Sequence, residues 1–214
     1  MIRRFLLAVL LSFWAILPGF SQEVKEEEGR LPKGQFTFAP GAALGYRAFE
    51  KGTFLGDTYA VGLSYRLTVD FGFHGYPGVG IYFDKQEASI QNNRFLGGFF
   101  TEVRMPETGI YLYHQVPLVK NLDLRGELGY GQLQVIHGLS PSRFILDYGN
   151  FSGRLAFQYT VAKEVKGIFD LKLVFGGNYS LLNGNKIVIN PSDRSYMQRA
   201  SAIQGIFGIH LLYL

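Results

Sequence analysis

Four histidines are the side chains best suited to acid–base or metal chemistry in this 214-residue chain: His74, His114, His137 and His210. His137 lies three residues before Ser140 and ten before Asp147. A serine nucleophile, a histidine base and a carboxylate that orients the imidazole form the catalytic set of many hydrolases. The spacing here is not diagnostic, however, and a loop histidine without a catalytic role is the more ordinary interpretation.

Most metal and cofactor chemistry is excluded by the sequence. The chain has no cysteine, so that disulfides, thiolate metal sites and a cysteine nucleophile are impossible. No two histidines stand at the spacing of a metal site. The glycines near residues 78–80 and 126–131 do not lie between a strand and a helix, which a phosphate-binding loop requires. We therefore predict no catalytic residue, no metal and no cofactor.

Charged side chains form the most distinctive polar set. Eight of them alternate with apolar residues and so fall on the polar face of predicted strands: Arg66, Asp70, Asp123, Arg125, Glu127, Arg154, Asp170 and Lys172. They could line a passage that selects small solutes, or they could pair with one another as a structural network. The elements that carry them decide between these interpretations.

Alternation of period two is clearest over residues 58–74. Tyr59, Val61 and Leu63 begin an apolar series that continues at every second position to Phe73, whereas the intervening positions are small or polar. Successive side chains of a strand point to opposite faces. A helix would scatter Arg66 and Asp70 into the apolar face, so this segment is predicted to be a strand.

The same alternation predicts seven further strands, near residues 35–48, 78–85, 109–118, 122–130, 151–161, 169–181 and 201–214. Short turns are expected near 75–77, 119–121 and 163–167, and longer loops near 49–57, 86–108, 137–150 and 183–200. Segment 94–105 could add a ninth strand, which would break an even count. We assign it to the loop 86–108, and ten strands stay open as an alternative. On the strands, His74 and His210 fall on the polar parity and are expected to be hydrogen-bonded interior histidines.

The amino terminus has the pattern of a secretory signal peptide. Arg3 and Arg4 precede an apolar run from Phe5 to Leu17, and small residues follow up to Ser21. We predict cleavage after Ser21, a polar disordered lead-in over 22–34 and one β domain over 35–214. Without Arg3 and Arg4 the excess of 21 basic over 17 acidic residues falls from four to two, so that nucleic acid is not an expected partner.

The composition of the two faces predicts the fold class. A soluble β-barrel or sandwich would turn long charged residues to water, but the polar face here is rich in Gly, Ala, Ser and Thr. The other face carries bulky apolar residues over about 9–11 positions with aromatics near the ends, as a lipid-facing band requires. We predict an all-β, closed antiparallel transmembrane barrel of eight strands, in preference to a secreted soluble β protein. Such an interior is just wide enough for side chains, which favours the paired charge network.

Three segments carry a resemblance to a known family. The first is Gly41-Ala42-Ala43-Leu44-Gly45, the second is Gln115-Val116-Pro117-Leu118, and the third is the Gly-rich strand Asn121–Tyr130. Together with the signal peptide and strand 58–74, these segments resemble the outer-membrane β-barrel domain proteins of Bacteroidetes, and more widely the small OmpA/OmpX-type barrels.

The resemblance implies a location in the bacterial outer membrane and a structural, surface-binding or assembly-component role without enzymatic activity. Its expected partners are outer-membrane lipid, the barrel assembly machinery during insertion, and other envelope proteins. A narrow channel for small solutes is the alternative function, and a lipid-modifying hydrolase using His137 is a remote one.

Overall fold

The computed structural model describes residues 33–92, 100, 103–138, 144–165, 168–184 and 193–213. The predicted signal peptide 1–21, nearly all of the lead-in 22–34, Ser140 and most of segment 94–105 lie outside these residues. The described part of the chain consists of eight strands and two short helices. They are β1 (Phe36–Phe49), α1 (Phe54–Thr58), β2 (Gly62–Phe73), β3 (Gly78–Ala88), β4 (Val103–Val119), β5 (Leu122–His137), β6 (Phe144–Val165), β7 (Phe169–Asn183), α2 (Arg194–Gln198) and β8 (Arg199–Tyr213).

The strands form a closed antiparallel barrel in which each strand pairs with the next one in sequence and β8 pairs with β1. Leu44 of β1, for example, lies opposite Tyr65 of β2 and Phe207 of β8. The predicted eight-stranded barrel is confirmed, and the alternative of ten strands is wrong. In the described residues, neither short helix has the length or the apolar run needed to cross a membrane.

The register sets the tilt of the strands. A row of paired residues that starts at Phe38 of β1 returns to β1 at Ala48, ten residues further along the strand. The row passes through Phe71, Val79, Leu112, Leu128, Gly153, Tyr179 and Ile203. The offset of ten residues, at about 3.3 Å each, divided by eight strand spacings of about 4.8 Å gives the tangent of the angle between the strands and the barrel axis. This tilt is about 40°. This value and the strand number give a backbone radius of about 8 Å, which leaves room inside for side chains only.

The two ends of the barrel differ. At one end, here called the turn end, the connections are short: 74–77, 120–121 and 166–168. Positive φ angles at Gly75 (81°) and Asn121 (63°) let the chain reverse tightly in two of these turns. At the other end, here called the loop end, the connections are 50–61, 89–102, 138–143 and 184–198. The predicted order of short turns and longer loops is therefore correct.

Two predicted loops are too long. β4 begins at Val103, within the predicted loop 86–108, and β6 begins at Phe144, within the predicted loop 137–150. The reason is that the pattern reverses near the loop end, where the apolar side chains of β4 to β6 face inward and the polar ones face outward. A search for apolar residues on the outward parity alone does not detect strand in this region. The predicted loop 49–57 also contains a helix, α1.

Candidate functional site

The outward side chains form an apolar band around the barrel, here called the outer band. On five strands it covers eleven residues: 36–46, 63–73, 151–161, 171–181 and 203–213. Ten steps of about 3.3 Å at a tilt of about 40° span about 25 Å along the barrel axis, which is the height of the apolar surface on outer-membrane barrels. Aromatic residues lie at its margins, such as Tyr46 and Tyr130 toward the loop end and Phe36 and Phe73 toward the turn end, and all four are more than half exposed.

Inside the barrel, a first group of buried charges lies nearest the loop end and centres on Arg47. Its guanidinium donates to Glu107 Oε2 at 2.7 Å and to Asp84 Oδ2 at 3.1 Å. Glu107 also accepts hydrogen bonds from the Tyr82 hydroxyl at 2.5 Å and from Asn150 Nδ2 at 2.6 Å. Every polar partner of the carboxylate is thus a buried donor from a different strand, and the group ties β1, β3, β4 and β6 together.

Arg66 extends this first group toward the middle of the barrel. Its Nη1 lies 3.9 Å from Asp84 Oδ2, and its guanidinium carbon lies 4.0 Å from the centre of the Tyr82 ring. A cation over an aromatic face is attracted by the ring quadrupole, and more strongly where water is excluded. The aromatic ring therefore supplies part of the stabilisation that one long ion pair alone does not provide.

A second group, in the middle of the barrel, is centred on Arg125. This residue donates to Asp70 Oδ2 at 2.6 Å through Nη1 and to Glu127 Oε1 at 2.7 Å through Nε. The other oxygen of Glu127 accepts from Arg154 Nη1 at 3.3 Å, and Tyr111 donates its hydroxyl proton to Asp70. Asp70 and Arg125 come from β2 and β5, which are not neighbours, so this contact crosses the interior.

His210 is an interior histidine, as predicted, and it completes the second group. Gln158 Nε2 lies 3.2 Å from its Nδ1, and the hydroxyl of Thr68 lies 3.4 Å from its Nε2. Asp70 Oδ2 is 3.7 Å from Nδ1. These contacts suit a neutral imidazole that accepts at Nδ1 and donates at Nε2. His74 instead lies in the turn beyond β2 and is half-buried, so the prediction of an interior position is wrong for this residue.

A third, smaller group lies near the turn end. Asp123 Oδ2 accepts from Lys172 Nζ at 3.0 Å and from Gln115 Nε2 at 2.5 Å. Asp170 lies half-buried on β7, opposite Leu212 of β8. Across the three groups, five cations face five carboxylates: Arg47, Arg66, Arg125, Arg154 and Lys172 against Asp70, Asp84, Glu107, Asp123 and Glu127. The formal charge of these ten groups sums to zero.

Three members of the network were missed by sequence reasoning. Arg47 and Asp84 lie on the polar parity of predicted strands 35–48 and 78–85, so alternation alone could have found them. Glu107 lies in the predicted loop 86–108, where the sequence has no strand pattern on the outward parity. The inward position of Tyr82 and Tyr111 also differs from the prediction, which places aromatic residues on the outward face.

Tyrosine rings fill the interior beside glycines of the neighbouring strand. Gly80 lies opposite Tyr111, and Gly78 lies opposite Tyr113. A Cβ atom built on Gly80 would lie 2.3 Å from Tyr111 Cζ, and one built on Gly78 would lie 2.4 Å from Tyr113 Cζ. These glycines therefore provide the space that the rings occupy, and the rings in turn help to place the hydroxyl of Tyr111 on Asp70.

At the loop end the interior becomes apolar. A cluster of buried residues, here called the plug, closes this end and consists of Phe54, Leu55, Tyr59, Val103, Met105, Leu133, Val135, Leu146, Tyr148, Leu182 and Ala200. Phe54 and Leu55 belong to α1 and are at most 1% exposed. Because the apolar side chains of α1 and of the inner strand faces are buried against one another, this end of the barrel is packed like the core of a water-soluble domain.

Polar contacts to several elements hold α1 in the plug. Thr53 caps the helix by accepting from the Gly56 amide at 3.2 Å. Gln91, from the next loop, donates its side-chain amide to the Tyr59 carbonyl at 2.9 Å. Tyr196 donates its hydroxyl to Asp57 Oδ2 at 3.2 Å. Residues 53–59, Gln91 and Tyr196, which belong to three different loop-end connections, are thereby joined into one structure, here called the cap.

His137 is part of this plug. The Tyr59 hydroxyl bonds to its Nε2, and its Nδ1 lies 3.2 Å from the Phe144 carbonyl oxygen, so that a neutral ring accepts at one nitrogen and donates at the other. Burial lowers the pKa of His137. Burial also raises the pKa of the Tyr59 hydroxyl, which therefore keeps its proton.

The serine, histidine and carboxylate of the remote hydrolase alternative are not brought together among the described residues. His137 faces inward and is fully buried, whereas Asp147 faces outward and accepts from Gln134 Nε2 at 2.9 Å. Ser140 lies outside the described residues. In the described part of the chain, no three His, Cys, Asp or Glu side chains are close enough to hold a metal ion. The side-chain partner of His137 is thus Tyr59 and not the carboxylate that a catalytic histidine requires.

No protein-family model and no curated protein matches the chain. Among solved structures, the chain is similar to the surface protein NspA of Neisseria, with a TM-score of 0.55 and 12% identity over 85% of this chain and 99% of that one. It is also similar to a major outer membrane protein of Thermus thermophilus, with a TM-score of 0.51 and 10% identity over 83% and 98% of the two chains. Neither comparison bears on the Bacteroidetes group, and both agree with the wider resemblance to small OmpA/OmpX-type barrels. The fold is that of the small eight-stranded outer-membrane β-barrels.

Proposed function

We propose that this protein is a non-enzymatic β-barrel of the bacterial outer membrane, with a structural or surface-binding role at its loop end. The observation that carries the proposal is the reversal of side-chain polarity along the strands. Over the outer band, apolar residues face outward and charges face inward, as the lipid environment requires. Beyond it, apolar residues face inward and close the barrel, as in a domain surrounded by water.

The orientation follows from the two ends of the barrel. Outer-membrane barrels have short turns in the periplasm and longer loops outside the cell, so the turn end faces the periplasm and the plug lies outside. The partners in this proposal are outer-membrane lipid around the outer band, the barrel assembly machinery during insertion and other envelope proteins at the loop end. Nucleic acid is not among them.

Heat-modifiable gel migration of outer-membrane fractions tests this proposal. A closed barrel that resists detergent unfolds only on boiling, so heated and unheated samples are expected to migrate differently and to appear in the outer-membrane fraction. A protein found in the soluble periplasmic fraction without such a shift would contradict the proposal.

A narrow channel for small solutes is the second candidate. The observation in its favour is the polar interior, which extends from Asp123 and Lys172 near the turn end to Arg47 and Glu107 below the plug. Against it stand the balanced ion pairs and the apolar plug. We expect no steady current from the purified protein in a planar bilayer, and a reproducible single-channel current would favour the channel instead.

A further inference from the structure

A group of outward polar residues, here called the notch, interrupts the loop-end margin of the outer band on β4 and β5. Pro106, Thr108, Gln132 and Gln134 line a shallow open pocket of about 180 Å³ on the outside of the barrel. Its volume is below the roughly 300 Å³ at which drug-sized sites begin. The notch therefore has room for one ring-sized group.

The height of the notch places it where lipid head groups begin. Because the strands are tilted, each step from β1 toward β8 along a row of paired residues moves about 3 Å along the barrel axis toward the loop end. With this correction, Thr108 and Gln132 lie at about the same height as Tyr46 and Leu63, which are large outward apolar residues near the loop end of β1 and β2. Polar side chains thus occupy a level that is apolar on the opposite side of the barrel.

The hydrogen bonds within the notch define the ligand chemistry. Gln132 and Gln134 both donate their side-chain amides to Asp147 Oδ1, at 3.4 Å and 2.9 Å. Each bond uses one of the two N–H groups of a side-chain amide, so these residues still offer a ligand two amide oxygens, the second N–H of each amide and the second oxygen of Asp147. Thr108 adds a hydroxyl that can donate or accept, and the Asp147 carboxylate disfavours an anion. A neutral ligand rich in hydroxyl groups, which both donate and accept, matches this set.

The surface below the notch is continuous with the outer band. Ile110, Tyr130 and Phe151 lie in the same row on β4, β5 and β6, and they are 64%, 63% and 45% exposed. An amphiphile could place its hydroxylated head group in the notch and its acyl chains on these side chains. A free sugar would make only the first of these contacts.

We propose that the notch binds the sugar head group of a glycolipid in the outer leaflet, with the acyl chains lying along Ile110, Tyr130 and Phe151. This inference rests on the proposed function, because it requires the outer band to face lipid. It goes beyond that function by assigning a preferred lipid class to one side of the barrel.

The test compares lipid retention by the purified, folded barrel and by the double variant Gln132→Leu/Gln134→Leu. Both side chains face outward, so leucine extends the outer band and the barrel is expected to fold. The matched control is Asn183→Leu, which makes the same kind of change at an exposed outward position on β7, outside the residues that line the notch and two strands from Gln132. The probes are an uncharged diglucosyl diacylglycerol and phosphatidylglycerol with the same acyl chains, added in equal amounts and measured by native mass spectrometry.

The wild-type barrel and Asn183→Leu are expected to retain the glycolipid in preference to phosphatidylglycerol. The double variant should lose at least about fivefold of this preference, because two hydrogen-bonding side chains are removed and each hydrogen bond adds modestly to affinity. Equal retention by the double variant, or no preference in the wild type, would overturn the inference. Failure of the wild type to show a heat-modifiable shift would instead overturn the proposed function.

Discussion

Removal of the Glu127 carboxylate is the sharpest test of the interior network. Glu127 is buried and joins Arg125 to Arg154 through bonds of 2.7 Å and 3.3 Å. In Glu127→Ala, Arg125 keeps Asp70, whereas Arg154 loses the carboxylate with which it pairs in the described part of the chain. The ten charges then carry a net excess of one cation in an interior that water enters poorly. Removing one partner of a buried pair typically costs about 3–5 kcal/mol, and we expect a loss of unfolding free energy in that range.

The measurement is urea unfolding of the barrel in lipid vesicles, followed by the gel shift between folded and unfolded protein. Glu87→Ala is the matched control, because Glu87 has the same chemistry but a side chain that is 74% exposed, 3.5 Å from Lys85. Exposed pairs of this kind contribute about 0–1 kcal/mol. Glu127→Gln, which keeps the volume and loses the charge, should fall between the two. A cost for Glu127→Ala no larger than that of Glu87→Ala would refute the network as a source of stability.

Three further predictions concern the packing of the barrel and its plug. Gly80→Ala should destabilise the barrel by about 1–3 kcal/mol, as overpacking of a core does, because the added Cβ would lie 2.3 Å from Tyr111 Cζ. The control is Gly205→Ala, whose Cβ meets no atom within 4 Å. This control should leave the unfolding free energy unchanged in the same urea assay. Gly56→Ala should loosen the plug, because the added Cβ would lie 1.8 Å from the Glu50 carbonyl oxygen. Protease cleavage within residues 50–61 should then increase at least severalfold. Unchanged cleavage would count against an ordered cap. The lowered pKa of His137 means that the unfolded plug binds a proton more readily than the folded one, so plug stability should fall as pH drops below about 6.5. His137→Asn should make cleavage of 50–61 insensitive to pH between 7 and 5.5, and a pH dependence that persists in this variant would assign the effect to another group.

The alternation of side chains made the barrel itself predictable. Leu63 to Phe73 and the corresponding runs on four other strands each present one uninterrupted apolar face, and this pattern depends only on strand geometry. The reversal above the outer band could not be found in the same way. Met105 and Leu146 lie within the predicted loops 86–108 and 137–150, and both are buried on the inward parity, where a search for one outward apolar face does not detect a strand.

The pairing of the interior charges was beyond reach for a different reason. Parity places Asp70 and Arg125 inside, but their contact at 2.6 Å joins β2 to β5 across the interior. Which charges meet depends on the ten-residue offset of the register around the ring. That offset is a property of the closed barrel as a whole, and no local stretch of residues contains it.

In the proposed membrane location, the polarity reversal also fixes the depth of the barrel in the bilayer. Sliding the barrel inward would bring Gln132, Gln134 and Lys85 into hydrocarbon, where a lysine costs about 2–4 kcal/mol at the midplane and less near the interface. Sliding it outward would expose the turn-end margin of the outer band to lipid head groups and water. Both displacements are opposed, so the vertical position has one minimum. Because His137 lies seven residues beyond Tyr130, the cap is then carried about 15–20 Å above the upper margin of the band. The cap is therefore held at a set distance from the lipid.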